Sequence, residues 1–288
     1  MSSDFQNQTV QWFPGHMAKT RRLVKESLSL VDAVTEIVDA RIPMSSHNPE
    51  LAEIISGKPK IVLLNKSDVA DEKATSLWLD FYRSNGVHAL AVDCKSGKGL
   101  NAYRGLVREV LKDKIEAYAE KNMNGRALRV MVVGIPNTGK SSFINRMAGK
   151  KRAQVADRPG VTKHNQWFVI GDGIELLDTP GVLWPKFDDP AVGDKLAFIG
   201  SVKDEILDCE TLAVRLIEVL KNDYPERLTE RYKVTDFDDK QSYEILEMIG
   251  RKRGMLISGG EVNTERAATT LLDEYRGGKL GKITLERP

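Results

Sequence analysis

The amino-acid sequence predicts an α/β fold with a doubly wound, mostly parallel sheet, followed by a smaller helical C-terminal domain. Three observations carry this prediction. Short apolar runs recur before residue 186, helical patterns separate several of them, and helical patterning dominates after residue 195. Strands that alternate with helices indicate a parallel sheet covered on both faces. Ligands bind beyond the carboxyl ends of the strands in such sheets, so we expect the functional residues there.

Five apolar runs are predicted strands, and each ends in a polar or glycine-rich loop. They cover residues 33–38, 61–64, 89–92, 128–133 and 174–177. Before them, residues 17–31 carry apolar side chains among Lys and Arg, which predicts an amphipathic helix with a basic face. We therefore expect an N-terminal basic helical segment over residues 1–30, a sheet domain over residues 31–186 and a helical domain over residues 195–288.

The bulk composition is that of a globular protein without a strong global charge. The net charge is +2, so any contact with nucleic acid needs local basic patches such as Arg251, Lys252 and Arg253. The two cysteines, Cys94 and Cys209, argue against a disulfide framework and a Cys-only zinc site. The sequence shows no signal-peptide pattern and no run of ~18 apolar residues. We expect a soluble, cytoplasmic protein with no membrane segment.

The most specific motif follows the fourth apolar run. Residues 134–141 read GIPNTGKS, a glycine-rich loop that opens a helix. Backbone amides of such a loop surround the α- and β-phosphates of a nucleotide, and the helix N-terminus adds partial positive charge. In this pattern the lysine bridges the β- and γ-phosphates, and the following serine hydroxyl binds Mg²⁺. The candidate nucleotide-binding residues here are Asn137, Thr138, Gly139, Lys140, Ser141 and Ser142.

An acidic box ends the fifth apolar run. Residues 178–181 read DTPG, in which Asp178 would hold Mg²⁺ through water and the Gly181 amide would meet the γ-phosphate. Between the two motifs, residues 159–162 read PGVT and offer the hydroxyl of Thr162 on a candidate switch segment. Thr162 and Lys140 are therefore candidate catalytic residues, and Thr162 is also a candidate Mg²⁺ ligand.

Residues 65–68 read NKSD and would decide which base is bound. The Asp68 carboxylate would accept two hydrogen bonds from the guanine ring and its exocyclic amine, a pair that adenine lacks. Hydrogen bonds to a charged group contribute about 1.5–3 kcal/mol each, which is enough for strong discrimination. The stem of Lys66 would cover the face of the base, and Asn65 completes the box.

A second base-binding loop is expected after the third apolar run, at Asp93, Cys94 and Lys95. There the backbone amide of Cys94 would contact the guanine oxygen. In an ordinary GTPase the phosphate loop precedes the base-reading box, whereas in this chain it follows it. Cutting a GTPase sequence after the acidic box and rejoining it explains the order. The motifs are circularly permuted, while the site in three dimensions could be unchanged.

In this permuted order the motifs resemble the ribosome biogenesis GTPase A family. Residues 12–19 (WFPGHMAK), 39–43 (DARIP) and 183–186 (LWPK) also match its pattern. The resemblance spans essentially the whole chain and is least specific after about residue 200. It implies a P-loop GTPase that binds GTP and GDP and assists maturation of the large ribosomal subunit. Its expected partners are therefore rRNA and ribosomal proteins, with a helical domain implicated in rRNA contact.

The source of the hydrolytic machinery is open, because Val182 follows the acidic box and cannot orient a water. His16 is one candidate, since histidines exchange protons near neutral pH, and the resemblance adds that the matching histidine has been proposed as catalytic. A helix-capping or rRNA-contacting role is the alternative. Asn137 is another candidate, because the matching position in related GTPases helps to coordinate K⁺; simple capping of the loop is the alternative. We expect slow intrinsic hydrolysis that the large subunit or its precursor stimulates.

The permuted order also suggests how the nucleotide state is transmitted. The acidic box leads through residues 184–186 into the helical domain, so we hypothesise that GTP orders both switches and reorients that domain. Two other function classes stay open. One is a nucleotide-gated RNA-binding module in which hydrolysis only resets the affinity. The other is an ATP-using P-loop enzyme such as a kinase, against which Asp68 argues.

Overall fold

The structure, a computed structural model, describes residues 15–55, 57–123, 125–149, 166–181, 183, 189–202 and 208–288, with side chains from Arg21 onward. The contacts among these residues divide them into two compact units. The sheet unit contains the described residues up to Leu183 together with Glu286–Pro288. The helical unit contains those from Asp189 to Leu285. Within these ranges, no helix combines the length and apolar character needed to cross a membrane.

The sheet unit is built on a sheet of six strands in the order β3-β2-β1-β4-β6-β5 among the described residues. The strands are β1 (Ala33–Asp39), β2 (Lys60–Asn65), β3 (His88–Ala91), β4 (Leu128–Val133), β5 (Gln166–Gly171) and β6 (Ile174–Asp178). All neighbours are parallel except β5 and β6. β1 lies between β2 and β4 and is buried along its whole length, as expected of a strand covered on both faces. The predicted doubly wound, mostly parallel sheet is confirmed.

Helices cover both faces of this sheet. They are α1 (Gly15–Ser27), α2 (Pro49–Ile55), α3 (Glu72–Ser84), α4 (Tyr103–Val110), α5 (Lys112–Glu120) and α6 (Lys140–Ala148). On one face Tyr103 of α4 and Phe143 of α6 meet edge to face, with ring centroids 4.9 Å apart. On the other face Val24 of α1 and Leu51 of α2 share one apolar cluster, and Trp78 of α3 belongs to another. The two helix layers cover the sheet, and the motifs lie at the carboxyl ends of its strands.

β5 is not among the five predicted strands, although residues 167–170 read WFVI, an apolar run as long as that at residues 61–64. It is the antiparallel last strand of the sheet, and its burial alternates, with Phe168 and Ile170 buried between exposed neighbours. Asp172 and Gly173 turn the chain into β6 with φ angles of 52° and 71°. Asp-Gly with positive φ at both positions is typical of a tight hairpin turn. The apolar run and this dipeptide together are the sequence signal that predicts the strand pair.

The helical unit contains α7 (Pro190–Phe198), α8 (Cys209–Asp223), α9 (Pro225–Tyr232), α10 (Ser242–Lys252) and α11 (Thr264–Arg276). The carboxylate of Glu274 on α11 binds Arg231 of α9 and also Arg253, whose Nη2 lies 3.1 Å from it. All three residues of the predicted basic patch are exposed, but Arg253 has an acidic partner inside the unit. The basic patch predicted at these three residues is therefore only partly free for another ligand.

Candidate functional site

The motifs that are scattered along the sequence meet at one edge of the sheet. In the parallel register Asp39 at the end of β1 lies beside Asn65 at the end of β2, and Asp178 at the end of β6 lies beside Val132 of β4. Parallel strands bring their carboxyl ends to the same edge, which is where α/β sheets bind ligands. The glycine-rich loop that follows β4 lies between these two pairs of strand ends.

The side chain of Asn65 joins the phosphate loop to the second base loop. Its Nδ2 donates to the carbonyl oxygen of Thr138 at 2.7 Å, and its Oδ1 accepts from the N–H of Cys94 at 3.0 Å. Asn65 is 3% exposed, so both hydrogen bonds are shielded from water. A Cβ atom on Gly139 would lie 2.2 Å from this Nδ2, so only glycine fits the contact. One side chain therefore brings three permuted segments together.

The phosphate loop is held by its own backbone geometry. Gly134 has φ 148°, and a Cβ atom there would lie 2.5 Å from the carbonyl oxygen of Ile37 on β1. The hydroxyl of buried Thr138 donates to the carbonyl oxygen of Ile135 at 3.0 Å. Gly139 has φ 97° and precedes α6, which begins at Lys140. The loop thus ends at a helix N-terminus, the geometry that favours phosphate binding.

Lys140, at the end of the phosphate loop, and Asp178, at the end of β6, are both buried and interact electrostatically. The Lys140 ammonium donates to the carbonyl oxygens of Gly134 at 3.0 Å and Ile135 at 2.8 Å. Burial lowers the pKa of Lys140 to about 8, against the charge of Asp178. Burial likewise raises the pKa of Asp178 to about 6, against the charge of Lys140. A Cβ atom on Gly181 would lie 3.0 Å from the Lys140 Nζ, so the acidic box reaches the phosphate loop.

The residues at Asp178 fit a divalent cation. Asp178 is 2% exposed, and its Oδ1 has no hydrogen-bond partner among the described residues. A buried carboxylate oxygen without a partner is costly, so it calls for a cation or a water. Ser141, in the first turn of α6, is partly exposed and offers a hydroxyl. Mg²⁺ in nucleotide sites is bound by one or two protein groups together with the phosphates, which matches the donors that Asp178 and Ser141 offer.

The base-reading box is anchored by an ion pair between Lys66 and the buried carboxylate of Asp39. Lys66, with φ 62°, places its Nζ 3.0 Å from Oδ2 of Asp39, and the Arg41 guanidinium binds the same carboxylate at 2.8 and 2.9 Å. Burial alone would raise the pKa of Asp39, but the charges of Arg41 and Lys66 hold it well below its ordinary value. The Asp68 carboxylate is exposed in the following turn. Asp39 and Arg41 belong to the motif at residues 39–43, but their bond to Lys66 is visible only in the structure.

The second base loop is a tight turn. The Asp93 carboxylate accepts from the N–H groups of Lys95 at 2.8 Å and Ser96 at 3.2 Å. Burial opposes ionisation, but these hydrogen bonds lower the pKa of Asp93. Arg146 of α6 donates to the carbonyl oxygen of Lys95, so the helix of the phosphate loop also fixes the base loop. Sequence patterns give no signal for Arg146, because an exposed arginine late in a helix is ordinary.

The structure gives less detail for the remaining predicted site residues. His16 is the second residue of α1, and the structure describes its backbone but not its side chain. Asn137 is partly buried in the phosphate loop with φ 61°, and Ser142 is partly exposed on α6. Thr162, Val182 and residues 184–186 lie outside the described residues.

Several known proteins are similar to this chain over nearly its whole length. The model of a 50S ribosome-binding GTPase family matches residues 129–253. A ribosome biogenesis GTPase A of Priestia megaterium is 49% identical over 97% of both chains, and that of Thermotoga maritima is 34% identical over 97% of this chain and 95% of its own. The crystal structure of GNP-bound YlqF from T. maritima superposes with a TM-score of 0.66 at 31% identity, covering 94% of this chain and 98% of that chain. Its GDP-bound structure matches with the same TM-score at 30% identity.

Proposed function

Because this chain belongs to the ribosome biogenesis GTPase A family, we propose that it is a GTP-binding and GTP-hydrolysing assembly factor for the large ribosomal subunit. Family membership confirms the predicted class, a circularly permuted GTPase with a role in ribosome biogenesis. The large subunit as target, and its precursor with rRNA and ribosomal proteins as partners, go further and form the proposal. Action on ribosomal precursors would place the protein in the cytoplasm.

One observation carries the nucleotide part of the proposal, namely the two hydrogen bonds of Asn65. They join the phosphate loop at Thr138 to the base loop at Cys94, so that one ligand can contact both. In this site Asp68 reads the guanine edge and Lys66 covers the face of the ring. The backbone of Asn137, Thr138 and Gly139 and the amides of α6 at Ser141 and Ser142 surround the phosphates.

The γ-phosphate end of the site is the place of hydrolysis. Lys140 neutralises charge on the β- and γ-phosphates, and the Gly181 amide, which lies near it, binds the γ-phosphate. Ser141, Asp178 and Thr162 would hold Mg²⁺, which when bound neutralises charge that develops on the phosphates. Asn137, which lies within the phosphate loop, would hold K⁺.

The attacking water needs a group that Val182 cannot supply. We propose that His16, in the first turn of α1, activates this water. Alone, the protein would then hydrolyse GTP slowly, and contact with the large subunit would complete the site. Arg251 and Lys252 of α10 are exposed, and we propose that they contact rRNA phosphates.

Two measurements test this function. The first is single-turnover GTP hydrolysis with and without purified large subunits, using small subunits as the matched control. We expect acceleration by large subunits alone; equal rates in all three conditions would remove the stimulation. The second is sedimentation with each subunit in the presence of GDP or a non-hydrolysable GTP analogue. Cosedimentation that is indifferent to nucleotide would contradict a nucleotide-controlled switch.

A further inference from the structure

We propose that Glu286, near the C-terminal end of the chain, is a positioning residue for guanine-nucleotide binding. It acts through the loop after β1 on the ion pair between Asp39 and Lys66. The inference rests on the proposed function, because it takes residues 65–68 as the base-binding box.

Glu286 is held by hydrogen bonds to both its carboxylate and its backbone carbonyl. Its carboxylate accepts from the N–H of Met44 at 2.7 Å, from the N–H of Ser45 at 3.1 Å and from the Ser45 hydroxyl. Its backbone carbonyl accepts from Nε1 of buried Trp78 at 3.3 Å. Only 8% of the residue is exposed. Hydrogen bonds from backbone N–H groups to a carboxylate are charge-assisted and hence strong, so Glu286 fixes this loop firmly.

The loop that Glu286 fixes runs directly back to Asp39. Ser46, next in sequence to Ser45, accepts from the N–H of Asp39 at 2.9 Å and donates to the carbonyl oxygen of Ile42 at 2.6 Å. Its own N–H donates to the same Ile42 oxygen at 2.9 Å. The segment from Asp39 to Ser46 is thus a closed turn that is buried except at Met44. Movement of its far end, at Ser45 and Ser46, would be transmitted to its near end, at Asp39.

At that near end the Asp39 carboxylate is shared between two cations. Arg41, itself part of the turn, binds both of its oxygens, and Lys66 binds Oδ2 at 3.0 Å. Buried polar networks of this kind fix geometry, because each group has few alternatives in a site with little water. If the turn loosens, Arg41 shifts on the carboxylate and Lys66 loses its defined anchor. The stem of Lys66 then covers the base less well.

Glu286–Pro288 belong to the sheet unit, although the residues just before them belong to the helical unit. Residues that follow the helical unit in sequence therefore support the loop after β1, and through it the base-reading box. The γ-phosphate residues Lys140 and Asp178 share no contact with this network among the described residues. The effect should accordingly fall on nucleotide affinity and not on the chemical step.

The experiment compares Glu286→Gln and a deletion of residues 286–288 with the full chain. Glutamine keeps one acceptor oxygen but turns an NH₂ group toward the donors of Ser45. Glu120→Gln, at an exposed position of α5 in the same unit, is the matched control. We measure the dissociation constant and release rate of a fluorescent GDP, together with KM and kcat for GTP. We expect affinity to fall and KM to rise about fivefold, a typical size for coupling between sites, with kcat and the control unchanged.

A second background separates positioning from general loosening. In Lys66→Met, which keeps an apolar stem but lacks the bond to Asp39, Glu286→Gln should have no further effect on affinity. An equal loss in that background would overturn the inference, as would wild-type affinity in both Glu286 variants. If these variants fail to fold, Ser45→Ala removes the hydroxyl contact alone and should raise KM in the same direction. A folded wild type that binds no guanine nucleotide would remove the proposed function as well.

Discussion

The Nδ2 atom of Asn65 lies 2.7 Å from the carbonyl oxygen of Thr138, although the two residues are 73 positions apart and occur in the reverse of the usual order. The same amide accepts from Cys94. A circular permutation leaves such contacts intact, because it changes which strand ends are joined but not where the strands lie. The hydrogen bonds of Asn65 therefore show that the motifs can occur in a different order along the chain, provided that they keep the same positions in the fold.

Replacing Gly139 by alanine should abolish nucleotide binding. The new Cβ would lie 2.2 Å from the Asn65 amide and would sit on a backbone with φ 97°. Gly149→Ala is the matched control, since that glycine has φ 67° but no atom within 4 Å of a new Cβ. Both variants should lose about 1–2 kcal/mol of stability from backbone strain. Equilibrium binding of GDP should be lost only in Gly139→Ala, and equal binding by the two variants would contradict the packing argument.

Asp68→Asn should change the base that is bound. An amide offers a donor where the carboxylate accepts from guanine, so affinity for GDP should fall by about 1.5–3 kcal/mol, or roughly 10- to 100-fold. Xanthosine diphosphate carries a carbonyl where guanine carries its amine, so its affinity should rise. Because Asp68 is exposed, thermal unfolding should be unchanged. Competition between the two nucleotides measures the switch, and a preference that stays with guanine would show that Asp68 does not read the base.

Affinity for GDP with Mg²⁺ should be greatest between about pH 6 and 8. The pKa of Lys140 is lowered to about 8 by burial, so above that pH the free protein loses the ammonium that meets the phosphates. The pKa of Asp178 is raised to about 6, again by burial, so below that pH it becomes neutral and holds the cation poorly. Titrations of binding from pH 5 to 9.5 measure both limbs. Asp178→Asn cannot titrate, so a decline of the same size on its acidic side would assign that limb to the nucleotide itself.

His16→Ala should reduce turnover stimulated by the large subunit by about 10²- to 10⁴-fold, the range that a general acid or base contributes. Its affinity for GDP should stay that of the wild type. Single-turnover rates on saturating subunits, with sedimentation to verify binding, separate chemistry from docking. Full stimulated turnover would remove His16 from the catalytic step. Normal turnover with weaker cosedimentation would instead assign the residue to rRNA contact.

The fold was predictable where burial is uniform. β2 and β4 lie inside the sheet between two layers of helices, so nearly every side chain is apolar and the runs are visible in the sequence. β5 lies at the end of the sheet, where exposed Trp167 and Val169 alternate with buried neighbours. Residues 167–170 still form an apolar run, WFVI, and the Asp-Gly turn after this strand connects it to β6, so the sequence carries a signal for β5 too.

The sequence by itself determined the class of this protein, because phosphate loops and base-reading boxes are local patterns. Backbone amides and a few side chains at fixed spacing make such a loop, so Lys140 and Asp68 could be found without a fold. The tertiary structure alone decided what holds those loops in place. The bond from Asp39 to Lys66, that from Arg146 to Lys95 and that from Ser45 to Glu286 join residues from separate segments. No spacing rule links such residues, since only the packing of strands and helices brings them within hydrogen-bond distance.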